Sequence, residues 1–430
     1  MNKLLWSIAI SFIIINSIYF SLKLRFPQFK LISALKSIQI TKTTQEISPK
    51  DTLIMALSSK IGVGSLSGTA LCIYYGGIGT IFWIFISTFV LSIINYIENA
   101  LAIIYKEKTN DSSKSGPYYY IKKGLNNKKL SIFYASTVLI LYIFLFSSIQ
   151  NNTITTLTTS MYDINKIIIS LIITTSSGLI IIKGIKGISN MCNKIFPIMM
   201  IVFIVIGLIV IIKNITILPS ILKQIMKEAF NSKSINGGVI HNIIITFQKS
   251  VFANESGVGT SAIISGSTDN NDYHLQAKIG LIQTYFISFI VLGITSLIII
   301  TAKTMPLNIT NGIELTKAAF FYHLGHFGEI ALLLILTLFS FSTIITIYYY
   351  GESSLEFLTG NRVIINILKI ITILSIFIGG IIKATTIWNL IDTFLAILTI
   401  INMYAIYRLR ETIVKKLTKR WYTFIEVYIW

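Results

Sequence analysis

The sequence predicts an all-α membrane protein that crosses the bilayer many times and is built from two inverted five-helix repeats. Of its 430 residues, 53% are hydrophobic and 12% are charged, whereas a soluble domain usually carries about 25% charged residues. Apolar runs long enough to cross a bilayer follow one another along the chain. Two of these runs are interrupted by glycines in corresponding places of the two halves, which is typical of secondary transporters.

Eleven apolar runs predict eleven membrane spans. They lie near residues 4–22, 51–75, 78–105, 131–150, 165–182, 191–212, 239–266, 275–302, 328–351, 361–380 and 384–407. Lys23 and Arg25 follow the first run, in place of a small-residue cleavage site, so we expect a membrane helix there and not a signal peptide. The ten later spans form two sets of five, and an odd number of spans per repeat gives the repeats opposite orientations.

This division predicts five regions. They are an extra N-terminal transmembrane helix with a basic cytoplasmic loop (1–50), a first five-helix repeat (51–212), an outer connecting segment (213–236), a second five-helix repeat (237–407) and a basic cytoplasmic tail (408–430).

The two interrupted runs are the strongest functional signal. In the first, Gly62, Gly64 and Gly68 lie inside the apolar run 53–75, and the second break spans residues 252–259. Backbone that leaves the helix at membrane depth is tolerated only where protein covers it or a cavity lies beside it. Glycines can also serve close helix packing, but their paired placement favours a binding site.

Charge distribution predicts the orientation. The net charge is +19, and the basic residues lie in short loops, which argues against nucleic-acid binding. The side richer in Lys and Arg is cytoplasmic, so we expect a cell-membrane protein with its N-terminus outside and its C-terminus inside. Residues 408–420 mix apolar and basic residues, as in a helix lying on the inner leaflet or an ordinary positive-inside anchor. Cys72 and Cys192 imply no disulfide framework.

Several stretches resemble the sodium:alanine (alanine or glycine:cation) symporter family. They are 58–70 with 76–83, 116–124, 252–259, and 341–345 with 348–352. The resemblance implies a LeuT-type fold of five plus five inverted helices after one extra helix. It also implies import of a small neutral amino acid with a cation, sodium. Two positions depart from the family pattern: Ser65 replaces an expected asparagine and Ser288 an expected aspartate.

The breaks predict a site for a zwitterion. Half-helix N-termini near 64–68 and 257–260 can receive a carboxylate, and freed carbonyls near 59–63 and 252–254 can hold sodium or the substrate ammonium. The predicted substrate-binding residues are Gly62, Val63, Gly64, Ser65, Gly68, Phe252, Asn254, Ser256 and Gly257.

The family resemblance also implies a sodium site between the first break and the ninth span. Its ligands would be Ser59, Gly62, Ser342 and Thr343. Without the resemblance, a Ser-Thr pair in a membrane helix more often bonds to its own backbone or to a neighbouring helix.

Three charged residues lie in or near the breaks: Lys60, Lys249 and Glu255. Charges inside a membrane need partners or water. We expect Glu255 to pair with one of the lysines. In a second interpretation, a lysine ammonium replaces the coupling cation or relays protons.

Rival functions are less well supported by the sequence. His323 and His326 could offer two metal ligands, but with only Glu329 near them we expect loop histidines and no enzyme. The sequence shows no ring of charged residues of the kind that would indicate a channel. The alternatives that stay open are a proton-coupled or uncoupled amino-acid transporter, and a transport-idle sensor or scaffold. We expect no cofactor and no obligatory protein partner.

Overall fold

The computed structural model describes residues 2–40, 47–108, 113–230, 238–302, 312–382 and 385–418. Within these ranges the regular secondary structure is helical apart from one antiparallel pair of short strands, β1 (Glu107–Lys108) and β2 (Ser113–Lys114). The helices are α1 (Asn2–Lys23), α2 (Leu31–Ile40), α3 (Pro49–Lys60), α4 (Thr69–Gly76), α5 (Thr80–Ile104), α6 (Pro117–Gly124), α7 (Lys128–Ile140), α8 (Ser147–Met161), α9 (Lys166–Ile181), α10 (Gly184–Lys213), α11 (Leu218–Phe230), α12 (Gly238–Asn254), α13 (Thr260–Ser265), α14 (Tyr273–Tyr285), α15 (Gly293–Thr301), α16 (Gly312–Leu324), α17 (His326–Leu358), α18 (Arg362–Ile381) and α19 (Thr385–Arg408).

Three π-helical turns interrupt this pattern. They are Gly64–Gly68, Leu141–Phe146 and Phe286–Leu292. The second joins α7 to α8, and the third joins α14 to α15, so each pair forms one continuous helix. Such turns occur frequently at functional sites, and all three carry residues of the site described below.

Eight helices in the described ranges are long and apolar enough to cross a membrane, and a ninth span is the bent pair formed by Pro49–Lys60 and Gly64–Gly76. The predicted span 165–182 corresponds to α9, which has 16 residues. The predicted span 239–266 corresponds to α12 and α13, with 17 and 6 residues. The protein is therefore a multi-pass membrane protein, while the count of eleven stays a prediction.

One predicted boundary differs markedly. The span expected at 131–150 belongs to a helix that runs from Lys128 to Met161, so residues expected in an outer loop are helical and buried. Their polar side chains bond to carbonyls at the end of α18: Asn151 to Ile376 at 2.8 Å and Thr155 to Gly380 at 2.7 Å. These bonds satisfy polar groups that would otherwise be costly to bury.

Helix α17 is the central packing element. It contacts α3, α7, α8, α10 and α16 and has buried residues along most of its length. Helix α5 packs on α14, α12, α13 and α1, and α1 packs on α19. Large apolar side chains on α9, α10 and α18 are exposed, among them Ile172, Ile201 and Ile370, as expected for helices that face lipid.

The described part of the C-terminal tail differs from the lipid-facing prediction. Residues 410–418 are helical, but Leu409, Ile413 and Leu417 are buried in the protein core. The apolar side of this helix therefore packs on the protein itself. Residues 419–430 lie outside the described ranges.

Candidate functional site

The first break lies just before the glycine-rich stretch. Helix α3 ends at Lys60, the next two residues leave the helix, and the chain bends by 56°. The second half-helix begins at Val63, slightly earlier than the predicted N-terminus at 64–68, and continues through the π turn. The backbone N–H of Val63 donates to Gln150 Oε1 at 3.0 Å. The first free end of this half-helix thus already holds a polar oxygen.

The second break covers residues 255–259. Helix α12 ends at Asn254 and α13 begins at Thr260. Glu255 has φ 50°, and Gly257 and Gly259 have φ 94° and 95°, a region that glycine enters without steric cost. The left-handed residues turn the chain between the two half-helices, and the predicted site residues Phe252 and Asn254 remain helical.

The predicted carboxylate position at the second break is taken by the protein. Gly257 N–H donates to Glu98 Oε1 at 2.9 Å, and Asn402 Nδ2 donates to the same oxygen at 2.7 Å. Asn402 also donates to the carbonyl of Gly257. Glu98 therefore fixes this loop and occupies the N–H of Gly257.

An aromatic wall closes over the first break. A Cβ added to Gly64 would lie 2.3 Å from Cε1 of Phe252, so the Phe252 ring packs directly on the backbone at Gly64. The Phe252 ring stacks on Phe146 at 5.2 Å between centroids and contacts Trp388 at 5.5 Å. By contrast, a Cβ at Gly68 would meet nothing within 4 Å. Phe252, one of the predicted substrate-binding residues, thus lies directly against the first break.

The other predicted polar residues lie around the same place. Ser65 Oγ donates to the carbonyl of Gly62 at 2.8 Å. Asn254 Nδ2 donates to Ser288 Oγ at 3.1 Å, so one of the two departures from the family pattern bonds directly to a predicted site residue. Ser256 Oγ lies 3.3 Å from Thr284 Oγ1.

Five oxygens cluster between α3 and α17. Thr343 Oγ1 lies 3.1 Å from the Ser58 carbonyl, 3.2 Å from that of Ile61 and 2.9 Å from that of Phe339. Ser342 Oγ lies 3.4 Å from the Ser58 carbonyl and 2.9 Å from that of Phe339. Unwound carbonyls and helix ends of this kind coordinate sodium in transporters with broken helices.

Of the four predicted sodium ligands, the structure brings two together and gives the other two different partners. Ser342 and Thr343 come together with backbone carbonyls of α3, but those carbonyls belong to Ser58 and Ile61. The Ser59 hydroxyl instead bonds to Ala56 and Tyr350, and the Gly62 carbonyl accepts from Ser65. The observed residues Ser58 and Ile61 each precede the predicted Ser59 and Gly62 by one position, because the break begins earlier than the glycine pattern suggested.

The charged residues do not form the predicted pair. Lys60 Nζ, buried, donates to Gln283 Oε1 at 3.0 Å. Lys249 Nζ lies 3.5 Å from Asp392 Oδ2. Glu255 accepts from hydroxyls instead: Tyr142 and Tyr350 at 3.1 Å and Thr260 at 2.9 Å. The direct ion pair of Glu255 with a lysine is therefore wrong for this structure, although Lys60 interacts electrostatically with Glu255 and Glu98.

Glu98 and Gln150 were missed by sequence reasoning. Both are buried, and both bond to break residues. The signal was present for Glu98, since it is the only acidic residue of the apolar run 78–105 before the loop and charges in spans mark function. Gln150 stood at the end of a predicted span and was assigned no role.

The two histidines diverge. His323 Nε2 lies 3.0 Å from both Thr301 Oγ1 and the Ile298 carbonyl, and burial lowers its pKa. His326 Nδ1 instead lies 3.0 Å from Glu329. Among the described residues, no group of three His, Cys, Asp or Glu could hold a metal ion.

Comparison with protein families and curated proteins gives consistent matches. The family model described as the sodium:alanine symporter family matches residues 1–424. The chain is 30% identical to the amino-acid carrier protein AlsT of Bacillus subtilis over 94% of this chain and 87% of that protein. It is 27% identical to the sodium/alanine symporter AgcS of Methanococcus maripaludis over 96% of this chain and 94% of that protein.

Solved structures share the fold. The crystal structure of MhsT in complex with L-phenylalanine matches with a TM-score of 0.61 at 13% identity, covering 86% of this chain and 90% of that one. A manganese transporter of Eremococcus coleocola matches with a TM-score of 0.55 at 12% identity, covering 82% and 74%. At such identities the likeness concerns the fold alone, which is that of LeuT-type transporters.

Proposed function

The chain belongs to the sodium:alanine symporter family, and from this premise we propose that it imports a small neutral amino acid of the alanine or glycine class together with sodium, by alternating access. The observation that carries the proposal is the contact between two subsites at Gly62. A Cβ on Gly62 would lie 2.7 Å from both Gln150 Oε1 and Thr343 Oγ1. The oxygen cluster and the free half-helix end therefore share one stretch of backbone.

This adjacency gives a physical basis for coupling. A cation among the carbonyls of Ser58 and Ile61 and the hydroxyls of α17 would fix the backbone that leads directly into Val63. On substrate binding, the carboxylate would take the place of Gln150 Oε1 at the Val63 N–H, the positive end of the half-helix. Each ligand would thus favour the arrangement that binds the other, and such coupling is reciprocal.

Substrate size follows from the wall. Phe252 touches Gly64, and Phe146 and Trp388 hold its ring. Rings packed against a glycine suit a short side chain, which supports the alanine or glycine class. The names of two relatives combine sodium with an amino acid: the sodium/alanine symporter AgcS and the probable sodium/glutamine symporter GlnT of Bacillus subtilis.

We also propose the finer architecture predicted from the sequence. In it α1 is the extra helix, the bent span at Gly62 opens the first repeat, and α12 with α13 opens the second. Together with α9 and the seven other candidate spans this arrangement would give eleven spans, with the N-terminus outside and the tail in the cytoplasm of the cell. The LeuT-type fold supports it.

Uptake by purified protein in proteoliposomes tests the function. Labelled alanine and glycine should accumulate when sodium is higher outside, and accumulation should stop when the sodium gradient is collapsed. Uptake that follows a proton gradient and ignores sodium would favour the proton-coupled alternative, in which the Lys60 ammonium takes the part of the coupling cation. Ligand-induced thermal stabilisation without any uptake would indicate the idle sensor or scaffold.

A further inference from the structure

The chain turns sharply after α1 and then continues as the short helix α2. Arg25 and Phe26 have φ of 57° and 51°, values that residues with a Cβ adopt only at a steric cost. The turn is anchored on both sides, because Gln28 Nε2 donates to Ser21 Oγ at 2.6 Å and the Gln28 carbonyl accepts from the Tyr285 hydroxyl of α14 at 3.2 Å. Helix α2 itself packs on α14. The turn and α2 therefore have a fixed place against α14.

The outward side of this segment is apolar. Phe29 of the turn and Ile32 and Leu35 of α2 follow one another at a spacing of three residues, which places them on one helix face. Phe29 and Ile32 are 77% and 73% exposed, whereas Ala34 on the inward face is buried. The sequence predicted a surface helix in the C-terminal tail, but the tail packs on the protein, and within the described part of the chain it is α2 that presents apolar side chains outward.

Basic residues border this apolar face. Arg25, Lys30 and Lys36 lie in or beside the segment, and the sequence contains no acidic residue before Glu46. Burial lowers the pKa of Lys30, and the positive charges of Arg25 and of Lys278 on α14 lower it further. These two cations therefore lie close enough to Lys30 to repel its ammonium group. An anion bound among the three would offset that repulsion.

The depth of this basic group matches the edge of the hydrocarbon core. Lys278 and Ser288 lie on the continuous helix Tyr273–Thr301, and Ser288 bonds to Asn254 beside the second break. In transporters with broken helices, the breaks lie near the bilayer midplane. The ten residues from 278 to 288 correspond to about 15 Å of helix, which is half of a hydrocarbon core of about 30 Å. Lys278 therefore lies at the depth where lipid headgroups begin.

An anionic phospholipid matches both the charges and the apolar face. Its phosphate can accept charge-assisted hydrogen bonds from Arg25, Lys30 and Lys278, and its acyl chains can lie along Phe29 and Ile32. A free phosphate ion would match the charges alone, and a zwitterionic lipid would bring a further cation to the lysines. Basic residues beside an amphipathic helix are typical of sites for anionic lipids.

We propose that the turn after α1, together with α2 and the start of α14, binds one anionic phospholipid of the cytoplasmic leaflet. Arg25, Lys30 and Lys278 hold its phosphate, and Phe29 and Ile32 contact its acyl chains. The bound lipid joins α1 to α14 and so stabilises the packing of the first helix on the helix that carries Lys278. The inference takes only the name of the leaflet from the proposed orientation and does not depend on which amino acid is transported.

The melting temperature of the purified protein in detergent measures this binding. Added dioleoyl phosphatidylglycerol should raise the melting temperature, whereas dioleoyl phosphatidylcholine and inorganic potassium phosphate should not. In Lys30→Gln with Lys278→Gln, the phosphatidylglycerol concentration for half-maximal stabilisation should rise roughly twenty- to thirtyfold, because each basic residue near an anionic lipid surface contributes about a factor of five in affinity. The matched control, Lys128→Gln with Lys129→Gln, removes two exposed lysines at the start of α7 on the same predicted side and should respond like the wild type.

A variant that keeps every charge separates lipid binding from misfolding. Ile32→Ser changes an exposed side chain, so the fold should persist while stabilisation by phosphatidylglycerol needs several-fold more lipid. Its control is Ile370→Ser on α18, 61% exposed, which should respond like the wild type.

Two outcomes of the lipid comparison would overturn the inference: equal stabilisation by phosphatidylcholine or by phosphate alone, and no stabilisation by phosphatidylglycerol. Equal responses of the two double lysine variants would overturn it as well, as would equal responses of Ile32→Ser and Ile370→Ser. These readouts need no transport, so a protein that takes up no amino acid but shows the lipid pattern would contradict the proposed function and support the lipid site.

Discussion

The hydroxyl of Tyr350 donates to the carboxylate of Glu255 at 3.1 Å, and the same hydroxyl lies 2.8 Å from Ser59 Oγ. One side chain of α17 thereby touches both broken spans, one residue before the end of α3 and one residue after the end of α12. The two breaks are thus bridged through this one hydroxyl.

Removing this hydroxyl should weaken the bridge. Tyr350→Phe leaves a buried carboxylate oxygen with one donor fewer, and we expect the free energy of unfolding to fall by about 1–3 kcal/mol, seen as a lower melting temperature in detergent. Uptake should slow as well. Tyr348→Phe is the control, since its hydroxyl bonds to Glu352 toward the end of α17, and it should leave uptake intact. Equal losses in both variants would contradict a special role for the bridge.

The glycine at the wall gives a second prediction. Gly64→Leu should abolish uptake while the protein still inserts, because even a Cβ there would lie 2.3 Å from the Phe252 ring. Gly293→Ala is the matched control, since its Cβ would meet only ordinary contacts at 3.6 Å or more. Uptake by Gly64→Leu at the wild-type rate would show that the glycine serves packing alone.

The oxygen cluster gives a third prediction. Thr343→Val keeps the shape of the side chain and removes one proposed ligand, so the sodium concentration for half-maximal uptake should rise about tenfold, equivalent to about 1.4 kcal/mol. Substrate affinity at saturating sodium should change little. Ser342→Ala should act in the same direction. Thr346→Val, one turn further along α17 and outside the cluster, should leave the sodium dependence as it is.

A fourth prediction concerns the free end of the half-helix. Gln150→Glu places a carboxylate against the Val63 N–H, where the substrate carboxylate is proposed to bind. The substituted group should satisfy the positive helix end and repel the substrate, so the KM for alanine should rise at least about tenfold, with 1.4 kcal/mol per factor of ten. The measurement is uptake against alanine concentration in saturating sodium. An unchanged KM would exclude this end as the carboxylate site.

Orientation gives a fifth prediction, now set by the observed helix ends. Lys129→Cys and Asp163→Cys lie just inside and just beyond the ends of the continuous helix Lys128–Met161. The first should react with an impermeant reagent only from the cytoplasm and the second only from outside. Labelling of both cysteines from one side would contradict the topology.

The sequence predicted the membrane class and the two breaks because both follow from local rules. Backbone in lipid must satisfy its own hydrogen bonds, so spans appear as long apolar runs, and glycines mark where helices end. The first break nevertheless begins at Ile61, two residues before the helix resumes at Val63. Its position depends on bonds from Thr343 and Gln150, which lie far away along the chain.

Long-range pairing also explains the other differences. Residues 151–155 looked like a loop because they are polar, but α18 supplies carbonyl acceptors for them. Glu255 was expected to pair with Lys60 or Lys249, but Lys249 lies 3.5 Å from Asp392 of another helix instead. A single sequence contains the donors and acceptors, while the choice among partners is made by tertiary packing.

The partner of Lys60 has a consequence for biosynthesis. Lys60 donates to Gln283, 223 residues later, and Glu98 bonds to Gly257 and Asn402. When the ribosome has released only the first five-helix set, both charges already stand in spans, where a charge costs about 2.5–3.5 kcal/mol on translocon insertion scales, and these hydrogen-bond partners have not been synthesised. The early spans must therefore wait, shielded by the insertion machinery or by water, until the second half arrives. Assembly in the membrane is thus a late event that joins the two halves, and a chain truncated between them would be a substrate for quality control.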